Sequence, residues 1–76
     1  MVDAVVSIRQ LEAGQKARVE ELVGDDDYVH RLEELGLRSG TYLEVFRAGN
    51  PCILRTVGGK LCLRSDDRLD ILVRKR

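Results

Sequence analysis

Gly58-Gly59 separates two runs of alternating residues, Cys52 to Val57 and Lys60 to Arg64. Paired glycines reach the positive φ values of a primed turn without a Cβ penalty, so the segment is committed to an antiparallel hairpin. A two-residue turn at the glycines pairs Val57 with Lys60, Arg55 with Cys62 and Leu54 with Leu63. In that register Cys52, Leu54, Thr56, Leu61 and Leu63 share one face, and Ile53, Arg55, Val57, Cys62 and Arg64 share the other. A sheet face is consistently buried or consistently wet, and the apolar weight puts the first face inside.

A lone hairpin is marginal in water, so the rest of the chain must complete the sheet. Ser7 to Leu11 reads as a short helical turn capped by Ser7, with Gly14 ending the connection. Lys16 to Glu20 alternates charged with small or apolar residues, as a half-buried strand does. Asp25-Asp26-Asp27 opens the one helix, where carboxylates cap free N–H groups and meet the positive end of the dipole. Val29, Leu32 and Leu35 recur at helical spacing, and Gly36 is the expected left-handed stop. Thr41 to Arg47 is the next strand, with Leu43 and Val45 on one face and Tyr42, Glu44 and Phe46 on the other. Beyond the hairpin, Ser65-Asp66-Asp67 forms a capped turn, and Leu69, Ile71 and Val73 alternate along a last strand. About five short strands with one inserted short helix predict a mainly β fold, a small bent barrel that closes its own edges.

The chain has 76 residues and is read as one domain over 1–76. A chain of this size buries only about 60% of the surface it exposes when unfolded. With one Phe, two Tyr and no Trp, that thin core must be aliphatic. A deep substrate pocket would remove much of it, which argues against an enzyme. No apolar run approaches the ~20 residues needed to cross a bilayer, and Met1 to Val6 lacks the basic start of a secretion signal. Two cysteines without such a signal fit a reducing, cytoplasmic setting. The zero net charge hides an asymmetry: residues 1–37 carry nine acids and four bases, and residues 38–76 carry nine bases and four acids. Nucleic-acid binders show a basic face and a high pI, so a near-neutral chain is not expected to bind nucleic acid. The closing Arg74-Lys75-Arg76 reads as a tail fraying in solvent.

The residues able to carry chemistry are few. The hairpin register turns Cys52 inward and Cys62 outward, which opposes a disulfide or a shared metal site within one chain. His30 lies nearly opposite the Val29/Leu32/Leu35 stripe, with Asp26, Glu33 and Glu34 within one turn of it. Such a cluster can hold a weak divalent transition metal, ferrous iron or zinc, or be an ordinary solvated helix face. No cofactor is required by anything in the sequence. Nucleophilic catalysis lacks a thiol and an imidazole placed together, and Gly58-Gly59 does not open a phosphate-binding helix. What remains is surface. Ile53, Arg55, Val57, Lys60, Cys62 and Arg64 on the outward side of the hairpin, near Tyr42 and Phe46, have the composition of a modest protein interface.

The order of pieces carries a family resemblance. Leu11-x-x-Gly14 precedes the first strand, and Arg31-Leu32-x-x-Leu35-Gly36-Leu37-x-x-Gly40 leads into a strand ending Val45-Phe46-Arg47. Pro51 opens a hairpin that closes on Leu61-x-Leu63-Arg64, and the chain ends Ile71-Leu72-Val73. Over residues 7–74 this resembles the FeoA family, the small ferrous iron transport proteins A. It departs from the family in the short loop Ala48 to Pro51 and in Arg68. The resemblance implies an SH3-like barrel with a core over 7–74 and a tail at 75–76. It also implies a cytoplasmic accessory protein that is not inserted in the membrane and binds FeoB, the ferrous permease with a GTPase domain. It transfers no catalytic residue. The reading is therefore a non-enzymatic modulator of that permease, with a direct metal-binding chaperone or sensor, and a small-barrel nucleic-acid binder, as the alternatives.

Overall fold

The structure is a computed structural model and describes residues 4–64 and 68–75; the turn expected at Ser65-Asp66-Asp67 lies outside these. Strand β1 (Val5–Ser7) leads into a 3-10 turn at Ile8–Gln10, followed by β2 (Lys16–Gly24) and α1 (Asp26–Glu34). Then come β3 (Tyr42–Arg47), β4 (Cys52–Thr56), β5 (Gly59–Leu63) and β6 (Leu69–Lys75). All six strands form one antiparallel sheet in the order β1-β6-β2-β3-β4-β5.

The sheet has six strands rather than the five expected. The additional strand, β1, is three residues long and exists only through its pairing with β6, Val5 opposite Arg74 and Ser7 opposite Leu72. Strand β2 also runs past Glu20 to Gly24, along the full length of β6. Arg74 and Lys75, read from sequence as a fraying tail, are paired residues of β6, because β1 and β2 flank that strand on both sides.

Local signals set the connections. Ser7 accepts from the Arg9 N–H through its hydroxyl while the Gln10 side chain accepts from the Ser7 N–H, a reciprocal cap on the 3-10 turn. The Ser7 hydroxyl donates to Asp70 Oδ1 at 2.7 Å, tying that cap to β6. Asp25 caps α1 by accepting from the Asp27 N–H. At the other end, Leu37 N–H donates to the Leu32 carbonyl and Gly36 N–H to the Glu33 carbonyl, with Gly36 at φ 98°. This is a Schellman ending, in which the residue after the glycine folds back onto the helix. It corrects the expected stripe: Leu32 is buried and Val29 half-buried, but Leu35 is 55% exposed, and Leu37 at 1% occupies the core.

One aliphatic cluster fills the interior, built from Ile8, Leu11, Ala17, Val19, Leu32, Leu37, Leu43, Val45, Cys52, Leu54, Leu63, Leu69, Ile71 and Val73. No charged or polar residue is buried among the described residues. Ile8 follows one edge strand and Leu63 ends the opposite one, yet both lie in this cluster, so the sheet must curl until its edges approach. The Arg9 guanidinium spans the gap, donating through Nη2 to the carbonyls of Arg64 at 3.0 Å and Leu69 at 3.2 Å. The small bent barrel expected from the element order is the fold observed, consistent with the SH3-like type that the resemblance implies.

A candidate partner-docking face

The hairpin register differs from the expected one. Cys52 pairs with Leu63, Ile53 with Cys62, Leu54 with Leu61, Arg55 with Lys60 and Thr56 with Gly59, so the turn is Val57-Gly58. Thr56 decides this: its hydroxyl accepts from the Gly58 N–H and donates to the Gly59 carbonyl, closing the loop one residue earlier. Gly58 is also pressed against the end of α1, where a Cβ would stand 2.8 Å from the Leu35 carbonyl oxygen. The slip moves every partner by two residues, which leaves both faces as they were. Cys52, Leu54 and Leu63 are buried, and Arg55, Val57, Lys60, Cys62 and Arg64 are exposed, with Ile53 half-buried.

Two bulges shape the outer surface. Glu20 is the extra residue between Val19 and Glu21 on β2, opposite β6, and Phe46 is the extra residue between Val45 and Arg47 on β3, opposite β4. A bulge re-aims its side chain, and both of these are met by cations. Glu20 pairs with Arg74 at 2.7 Å and Arg18 at 3.0 Å, and the Arg74 hydrogen bond is the chief reason its carboxyl titrates below the ordinary glutamate range. Phe46 carries Lys60 Nζ 4.0 Å from its ring centroid and Arg55 Cζ at 5.2 Å, so two cations share its ring.

Strand order brings further residues to this face. Lys16 on β2 is opposite Glu44 on β3, Glu44 is opposite Arg55 on β4, and Arg55 is opposite Lys60 on β5. These four side chains make a row across the strands. Beside the row lies a groove of about 560 Å³ lined by Lys16, Tyr42, Leu43, Glu44, Arg55, Thr56 and Val57. Val57 at the hairpin tip is 93% exposed, and Tyr42 and Phe46 are about half exposed. Of the six residues singled out from sequence, Arg55, Val57 and Lys60 converge here with Tyr42 and Phe46. Ile53, Cys62 and Arg64 lie toward the other end of the hairpin, where Arg64 presents its carbonyl to Arg9. Sequence reasoning missed Lys16 and Glu44, which only the β2-β3-β4 order makes neighbours of Arg55.

The helix places the other candidates apart from this face. His30, Glu33 and Glu34 line a shallow cleft with Arg38, and Asp26 is not part of its lining. The Arg38 Nε donates to the Glu33 carbonyl, which holds a cation in that cleft. Among the described residues, no group of three or more His, Cys, Asp or Glu side chains is arranged to hold a metal ion. Cys52 is buried and Cys62 exposed, and burial pushes the Cys52 thiol above its ordinary range while nearby Arg9 opposes the shift.

A curled six-stranded sheet with an aliphatic interior and a cation-framed aromatic outer face defines a small β-barrel module. Residues 6–75 match the FeoA domain, and the chain belongs to the FeoA family of ferrous iron transport. An FeoA protein from Chlorobium tepidum superposes with a TM-score of 0.83 at 29% identity, covering 92% of this chain and 70% of that one. An FeoA-like protein from Clostridium acetobutylicum gives 0.73 at 25%, covering 96% and 87%. A crystal structure described as an iron uptake regulatory protein, FeoA, shares the fold at 24% identity with a TM-score of 0.78, covering 96% and 99%. No curated protein matches the chain significantly. No described helix is long and apolar enough to cross a membrane.

Proposed function

We propose that this chain is a non-catalytic accessory protein of ferrous iron uptake that docks on the cytoplasmic part of a FeoB-type permease through the outer face of β3, β4 and β5. The observation that carries the reading is the Phe46 ring held under Lys60 and Arg55, with Val57 and Tyr42 exposed beside it. Exposed aromatic and aliphatic side chains with fixed cations are the composition of an interface centre. Family membership supports the transport setting. A docking protein changes the permease's cycle only if it binds one conformational or nucleotide state more tightly than another. A tenfold preference shifts that equilibrium by about 1.4 kcal/mol.

The test is ferrous uptake by cells that lack this chain, complemented with the native sequence or with Phe46→Ala. The native chain is expected to restore uptake and Phe46→Ala to restore much less at equal abundance. Unchanged uptake on deletion, or full rescue by Phe46→Ala, would contradict the proposal.

A further inference from the structure

The groove beside Phe46 has a shape and charge pattern that specify more than a generic interface. Its cross-strand row runs Lys16, Glu44, Arg55, Lys60, positive, negative, positive, positive. We infer that the groove is a socket for an acidic segment of a protein partner, taking one apolar side chain between Tyr42 and Val57 and two carboxylates on Lys16 and Arg55. The inference rests on the proposed docking of this face and names the chemistry of what docks there.

Lys16 and Arg55 flank Glu44 on adjacent strands, so they stand two strand spacings apart, about 10 Å. The complementary carboxylates must be separated by about the same distance. Glu44 repels a third acid placed between them, and like charges directly opposed across strands cost stability. The central position of the segment is therefore uncharged, and the exposed side chains of Tyr42 and Val57 beside it offer apolar surface. An α-helix with acids at i and i+7 presents this pattern on one face, with an apolar residue at i+3 or i+4, because seven residues rise about 10 Å. The receiving cation is ordered in advance: Arg55 lies over the Phe46 ring and has less freedom to lose on binding. Glu44 at the centre of the row also weighs against a phosphate backbone or an anionic lipid surface, either of which would set negative charge directly on it.

The probe is a synthetic helical peptide carrying Glu at i and i+7 and Leu at i+3 and i+4, titrated into the full ¹⁵N-labelled chain at low salt. The largest amide shifts are expected at Tyr42, Glu44, Arg55 and Val57. Arg55→Gln and Lys16→Gln, each checked for native circular dichroism, are expected to weaken the peptide at least tenfold. Arg38→Gln, the same charge change in the His30 cleft, is expected to leave it unchanged. Glu44→Gln is expected to admit a peptide with a third, central Glu that the native chain rejects. No shifts, shifts confined to another surface, or an equal response to the peptide with Lys for Glu would overturn the socket. So would a face that responds to phosphatidylserine vesicles but not to the peptide. Binding of the permease's cytoplasmic region that is insensitive to Arg55→Gln overturns the socket and leaves the docking proposal standing. A normal peptide response without permease binding overturns the docking proposal alone.

Discussion

At the scale of single residues, the fold gives similar side chains opposite properties. Cys52 and Cys62 sit on the paired strands of one hairpin, yet the first is buried with its thiol pushed upward in pKa and the second is exposed. A neutral buried thiol is inert, since the thiolate is the nucleophile. Native protein treated with a thiol reagent at neutral pH is expected to be modified once, at Cys62, with Cys52 reacting only on unfolding; rapid double labelling would contradict this. Glu20 shows charge where burial is incomplete. Arg74 chiefly, with Arg18, lowers its pKa in the folded state against a smaller opposing effect of burial. A depressed folded pKa stabilises the fold above the ordinary glutamate range, and the contribution is lost as pH falls through the folded value. Glu20→Gln is therefore expected to be less stable than the native chain at neutral pH, with the difference closing below about pH 4 in denaturant titrations.

At the scale of elements, period-two alternation made the faces of β3, β4 and β5 legible in the sequence, because it survives a two-residue slip. The register itself was not legible. Two glycines each offered a turn, and the choice fell to the Thr56 hydroxyl and to the α1 end pressed against Gly58. Strand β1 escaped notice because three residues carry no period of their own. The bulges at Glu20 and Phe46 were hidden for a related reason: an extra residue shows only against its partner strand. On α1, the helical stripe pointed to Leu35, whereas the Schellman ending hands the core position to Leu37. Leu37→Ala is accordingly expected to cost about 2–5 kcal/mol in chemical denaturation, the usual range for a buried leucine. Leu35→Ala, at a 55% exposed position, is expected to fall within about 0.5 kcal/mol of the native chain.

At the scale of the whole molecule, the excess of acids in residues 1–37 and of bases in 38–76 becomes a spatial separation only in part. The acids of α1 stay together, but Lys16 from the acidic half joins Arg55 and Lys60 on the outer face through strand order. The sequence therefore identified the hairpin residues of the candidate face together with Tyr42 and Phe46 of β3, and missed Lys16 of β2 and Glu44 of β3. Docking through such a charged face is expected to be salt-sensitive, because salt screens exposed charges over about 8 Å at physiological ionic strength. The most direct test is calorimetric titration of the full chain into the cytoplasmic region of its cognate FeoB-type permease. Saturable binding is expected that weakens as salt is raised and falls at least tenfold in Phe46→Ala. Absence of binding at low salt, or affinity untouched by both salt and Phe46→Ala, would contradict it.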